Sequence, residues 1–135
     1  MNRLLIASHG NLAKEIVNAV HMIMGLERDI PFISMNPGTR DHEIREQLKE
    51  FLKSGSVGDH FFILTDVFGG SITNICTEFI SDGNVHLIAG VNLPMVLEFV
   101  NAPDSLKGTE MVHYCLSKAR ESLIHVNEIY VKGRV

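Results

Sequence analysis

Leu4-Leu5-Ile6-Ala7-Ser8-His9-Gly10-Asn11 decides the reading of this chain. The apolar run Leu4-Leu5-Ile6 has the character of a buried strand, and it stops at Ser8-His9-Gly10. Directly afterwards Leu12, Ile16, Ala19, Val20 and Ile23 recur at the spacing of one helical face. His9 therefore sits where a strand passes into a helix. In open α/β sheets that is where ligands bind, beyond the carboxyl ends of the strands. A helix start also presents unpaired backbone N–H groups and the positive end of its dipole, which favours an anion. Position alone leaves a second reading open, that of a surface turn residue.

Outward from this stretch the chain alternates. Strand Arg3–Ala7 and helix Leu12–Met24 come first, with Gly25 as a helix stop. Ile30–Ile33 reads as a second short strand, and Pro31 places it at an edge. After the turn Asn36–Thr39, Ile44, Leu48, Phe51 and Leu52 mark a second helix that ends near Gly55. Phe61-Phe62-Ile63-Leu64 is a continuous apolar run of the kind found in central parallel strands. Thr65 to Ser71 leads from it into a third helix carrying Ile72, Ile75, Cys76, Phe79 and Ile80.

Val85–Ala89 is a fourth strand. A short helix from about Pro94 to Val100 follows, Pro suiting a first turn. A long helix begins at Leu106, with Val112, Cys115, Leu116, Ala119 and Leu123 along one stripe. The tail Val126–Val131 alternates in the manner of a strand with one wet face. Four strand–helix alternations predict a single α/β domain over 1–135, a parallel sheet covered on both faces.

Composition narrows the chemistry. Apolar residues make up 45% of the 135 positions and charged residues 21%, an ordinary globular balance. The net charge of −4 comes from interspersed residues, and no basic block offers itself to nucleic acid or anionic lipid. The N-terminal apolar run is too short for a signal peptide, and no stretch approaches the roughly 20 apolar residues of a membrane span. Cys76 and Cys115 fall on apolar helical positions, which predicts buried free thiols and a cytoplasmic domain. His21, His42, His60, His86, His113 and His125 are scattered without ligand spacing and read as structural or surface residues. No metal and no cofactor is expected.

Asp66 ends the strongest strand as His9 ends the first. If strands 1 and 3 are neighbours, both side chains reach one crevice at the point where strand order reverses. A carboxylate that accepts the proton of one imidazole nitrogen leaves the other with an outward lone pair, suited to a nucleophile or base. Gly69-Gly70 lets backbone approach a ligand, and Ser71 is a candidate cap for the third helix. Two helix starts would then converge on one anion, such as a phosphoryl group on His9. GxxxxGK[ST] and GxGxxG are both missing, which argues against nucleotide chemistry. Phe68, Leu93 and Met95 near the crevice suit either a docking surface or helix-start packing.

Together, Ser8-His9-Gly10, Pro37-Gly38, Asp66-Val67-Phe68-Gly69-Gly70-Ser71 and Gly90-Val91-Asn92-Leu93-Pro94-Met95, each following a strand, resemble the enzyme IIA domain of the mannose family of the bacterial sugar phosphotransferase system. The resemblance implies a doubly wound sheet of order 2-1-3-4. It implies that His9 takes a phosphoryl group from the phosphocarrier HPr and passes it to a IIB component, and through it to membrane IIC/IID. Asp66 would orient the imidazole, and Gly10, Gly69, Gly70 and Ser71 would hold phosphate oxygens. It further implies a homodimer in which the C-terminal strand crosses to the partner, and a separate chain as IIB acceptor. Val67 stands where the family often has a hydroxyl residue, Phe68 where it has Trp, and Ile72 where Pro is frequent. The phosphoryl donor subunit of dihydroxyacetone kinase shares the fold and the early histidine, but Gly69-Gly70-Ser71 speaks for the sugar-transport type. A non-catalytic regulatory domain of this shape is a further alternative. A His–Asp hydrolase lacks a nucleophile elbow.

Overall fold

Apolar residues on both faces of every central strand force the sheet into the middle of the molecule. In the computed structural model, which describes residues 1–25 and 28–132, β1 (Asn2–His9), β2 (Phe32–Met35), β3 (His60–Thr65) and β4 (Val85–Ala89) form one sheet. Its order is β2-β1-β3-β4 and all three pairings are parallel. The covered α/β architecture is as the alternation predicted, and the order 2-1-3-4 is as the family resemblance implied.

Alternation along the strands divides the core. Leu4, Ile6, Phe62, Leu64 and Ile88 face one layer. It is built from α1 (Leu12–Met24), α4 (Leu93–Asn101) and α5 (Gly108–Glu121). Leu5, Ala7, Phe61, Ile63 and Val85 face the other, built from α2 (Asp41–Lys53) and α3 (Ser71–Thr77). Cys76 and Cys115 are buried free thiols, one in each layer, and burial pushes them up to about 12 and about 11. Among the described residues no helix is long and apolar enough to cross a membrane.

Several elements differ from the sequence reading. β2 starts at Phe32, not Ile30. Pro31 has no N–H to give, but its carbonyl already accepts from Ile6 N at 3.2 Å, and Ile30 is buried in the α1 layer. α3 is regular only to Thr77, after which i+3 bonds tighten the chain through Ile80. α5 opens at Gly108, two residues later than Leu106, and closes at Glu121. Leu123 therefore leaves the expected stripe and is exposed.

The tail is the main correction: Val126–Lys132 is a helix, α6, where a strand was expected. Val126, Ile129 and Tyr130 stand at i, i+3 and i+4, a helical spacing that the apparent alternation concealed. All three of those side chains are exposed, and among the described residues no strand pairs with the tail.

At the amino end of the sheet Asp59 accepts from Arg3 Nε at 2.7 Å and Ser56 N at 2.8 Å, which holds its carboxyl far below the usual range. Nearby, His86 stacks on Phe62 at 4.9 Å and approaches His60, with Nε2 3.4 Å from His60 Nδ1. Burial, and then the charge of His60, depress the His86 pKa.

Phe62 is fully buried and packs on Phe99 and His86. Phe62→Ala is expected to lower unfolding free energy by about 3–5 kcal/mol in urea titration. Acid should unfold the protein in two stages. The depressed His86 pKa means the unfolded chain takes up that proton first, so stability falls as pH drops below about 6.5. The depressed Asp59 pKa adds a second loss as pH falls below about 4. In His86→Phe, denaturation followed against pH should lose the first stage and keep the second.

Candidate functional site

The β1–β3 ladder ends at Ala7↔Thr65, and β1 runs on along β2 for two more residues, Ser8↔Ser34 and His9↔Met35, past the end of β3. His9 closes β1 and Asp66 follows β3 directly. Asp66 Oδ2 accepts from His9 Nδ1 at 2.8 Å and from His9 N at 2.9 Å, while Oδ1 accepts from Val67 N at 2.9 Å. An ionised carboxylate can only accept, so Nδ1 carries the imidazole proton and Nε2 keeps its lone pair.

Partial burial works to raise the Asp66 pKa. The hydrogen bonds from the His9 N–H and imidazole, followed by the charge the ring carries when protonated and the Val67 N–H, outweigh it and hold the group below its ordinary value. The side chain of Asp66 is 11% exposed and that of His9 47%, so the carboxylate is sheltered behind an imidazole that faces solvent.

The glycines are placed for shape as much as for donation. Gly10 has φ +56° and Gly69 φ +84°, both left-handed, which lets the chain turn sharply out of each strand. Gly70 lies against the imidazole: a Cβ there would stand 3.0 Å from His9 Cε1 and 2.9 Å from Val67 Cγ1. Two of the expected phosphate-holding amides are engaged within the chain. Gly10 N–H donates to Met35 O at 2.8 Å and Gly70 N–H to Val67 O at 3.2 Å. Ser71 is the first residue of α3 and does not cap it; Gly70 holds the cap position, without a side-chain bond.

Helix α1 carries a device the sequence reading missed. Its N-cap residue, Asn11, makes no side-chain cap bond. The buried hydroxyl of Ser8, three residues earlier, accepts from Ala13 N at 2.7 Å and does that work from the strand. A hydroxyl at the end of an otherwise apolar run was the available signal. Of the apolar residues near the crevice, Phe68 is 86% exposed, whereas Met95 is buried and Leu93 packs against the core, so those two are helix-start packing. Among the described residues no group of three His, Cys, Asp or Glu side chains could hold a metal ion.

Fold and site together define a doubly wound α/β protein with a His–Asp pair at its switch point. The chain matches, over residues 3–115, the family described as the PTS system fructose IIA component. The mannose-specific EIIAB component of Escherichia coli (strain K12) is 26% identical over 122 residues, covering 89% of this chain. This chain spans only 38% of that protein's length. The fructose-specific EIIA component of Bacillus subtilis (strain 168) is 25% identical over 123 residues, covering 90% of this chain and 84% of the relative. Among solved structures, the mannose/sorbose-specific IIA subunit from Enterococcus faecalis superposes with a TM-score of 0.80 at 25% identity, covering 91% and 92% of the two chains. An EIIA component from Streptococcus agalactiae shares the fold with a TM-score of 0.85 at 20% identity, covering 95% and 99%. The chain belongs to the mannose-family IIA components of the sugar phosphotransferase system.

Ser8→Ala leaves the Ala13 N–H without its acceptor in a buried setting. It should cost about 1–2 kcal/mol in urea unfolding. A loss below experimental error would show that the helix start does not depend on this hydroxyl.

Proposed function

We propose that this IIA component is a phosphocarrier that takes a phosphoryl group from HPr on His9 Nε2 and hands it to a IIB component for sugar uptake. The observation that carries the reading is the 2.8 Å bond from His9 Nδ1 to Asp66, made by an imidazole that remains half exposed. In the forward step the Nε2 lone pair forms a new P–N bond while the P–N bond of the donor phosphohistidine breaks. The electron pair of that bond returns to the donor imidazole. His9 becomes positively charged as the bond forms, and Asp66 offsets that charge at contact distance. The second transfer is the same exchange with the IIB histidine as acceptor.

Such transfer rests on positioning and charge stabilisation, with the imidazole as the only covalent participant. A carrier must also release what it accepts, and an exposed imidazole meets both needs. The Gly69 amide and the amide and hydroxyl of Ser71 would hold phosphate oxygens. With their own N–H groups engaged, Gly10 and Gly70 contribute shape to that site. The exposed Val67 and Phe68 flank the crevice and would meet the docking proteins. The location that follows is the cytoplasmic side of the membrane, peripheral to it through IIC/IID. Exposed Leu123, Ile124, Val126 and Ile129 support a homodimer that covers the tail.

Incubation with phosphoenolpyruvate, enzyme I and HPr should label the protein with acid-labile phosphate, and His9→Ala should abolish labelling. Asp66→Asn should slow transfer about a hundredfold or more, the scale on which removal of one charge-stabilising partner acts, while leaving the protein folded by circular dichroism. Transfer by Asp66→Asn at the parent rate would remove Asp66 from the mechanism.

A further inference from the structure

The side chain of Asp66 is useful only while its backbone keeps the carboxylate under His9. The residues on either side of it are tied by one hydroxyl. Thr73 Oγ1, on α3, lies 2.8 Å from Val67 O and 2.8 Å from Thr65 Oγ1. A carbonyl can only accept, so Thr73 donates to Val67 O and receives the proton of Thr65. Thr65 is 0% and Thr73 5% exposed, so the bond between the two hydroxyls is shielded from water, and the bond to Val67 O is part-buried.

The anchor beneath this bridge is firm. Thr65 is the last residue of β3, paired to Ala7 on one side and Ala89 on the other, and its carbonyl accepts from Gly90 N and Val91 N, both at 2.9 Å. Val67 O has one further bond, the 3.2 Å contact from Gly70 N that closes the turn. The hydroxyl of Thr73 therefore clips the free side of the turn to the fixed strand end, across Asp66.

Resting on the phosphocarrier reading above, we infer that Thr73 is a positioning residue for the His9–Asp66 pair: its hydroxyl, relayed through Thr65, sets the carboxylate that selects the His9 tautomer. Thr73 is buried and meets Val67 through its backbone carbonyl, so it acts on the rate of phosphoryl uptake and not on recognition of the donor by the exposed side chains.

The test compares Thr73→Val, which keeps the shape and removes the hydroxyl, with Thr73→Ser, which restores it. Imidazole 15N shifts of His9 at neutral pH should report a proton on Nδ1 in the parent and in Thr73→Ser. In Thr73→Val the two nitrogens should move toward the mixed values of a free histidine. The rate of phosphoryl transfer from HPr should fall about tenfold in Thr73→Val with the KM for HPr unchanged, a modest misplacement on the scale by which geometry governs rate. Ile44→Val, a core change in the α2 layer, controls for lost stability and should leave the 15N shifts where they are. If Thr73→Val does not fold, Thr73→Cys, close in size and a poor donor, is measured in its place. Parent 15N shifts in the variant lacking the hydroxyl would overturn the inference, whatever the rate does. Failure of the parent itself to be labelled would count against the phosphocarrier reading alone, because the tautomer measurement needs no phosphate.

Discussion

The pairing of β1 with β3 is the constraint on which the rest of the molecule depends. Each end of that pair is closed by an aspartate flanking β3 that holds a nitrogen-bearing side chain of β1. At the amino end Asp59 binds Arg3, and at the carboxyl end Asp66 binds His9. A slip of one residue in this ladder would turn every side chain to the opposite face and break both clamps. Register is therefore specified three times over: by the two carboxylates and by the alternating burial of Leu4, Leu5, Ile6 and Ala7 between two core layers.

The two clamps are alike in geometry and different in purpose. Asp59 binds a guanidinium, which is always charged and serves as a permanent tie. Asp66 binds one nitrogen of an imidazole that is half exposed. The helices are disposed to suit. α1 and α3 both begin at the carboxyl end of the sheet, so their first turns, the left-handed glycines and the exposed Phe68 surround His9. Gly70 is the tightest element of this wall, since it leaves no room for a methyl group between the loop and the ring. The half-exposed imidazole is thereby held through one nitrogen at the rim of the sheet.

Much of this was legible in the linear chain. Strands buried on both faces appear as unbroken apolar runs, and helices between them as runs of period near 3.6, so the α/β alternation could be anticipated, whereas the order 2-1-3-4 was implied by the family resemblance. The tail was misread because Val126, Ile129 and Tyr130 are too few to separate a period of two from a helical one. Ser71 was given the cap of α3 by residue type, whereas the backbone puts Gly70 in that place. Gly10 and Gly70 were assigned as amide donors, but a glycine in a turn does not announce which carbonyl its own N–H will meet.

Residue order alone determined most of the elements and the sidedness of the core, because both follow from local periodicity and from where apolar runs stop, while the meeting of His9 with Asp66 also needed β1 and β3 to be neighbours. Tertiary structure alone decided which donors and acceptors pair across the strand ends: the reach of Ser8 into α1, the bridge of Thr73 over Asp66, the loss of the Gly10 amide to Met35. Those bonds join elements far apart or out of phase along the chain. Their partners are chosen by strand register and helix placement to within about an ångström, a precision that no pattern of residue types encodes.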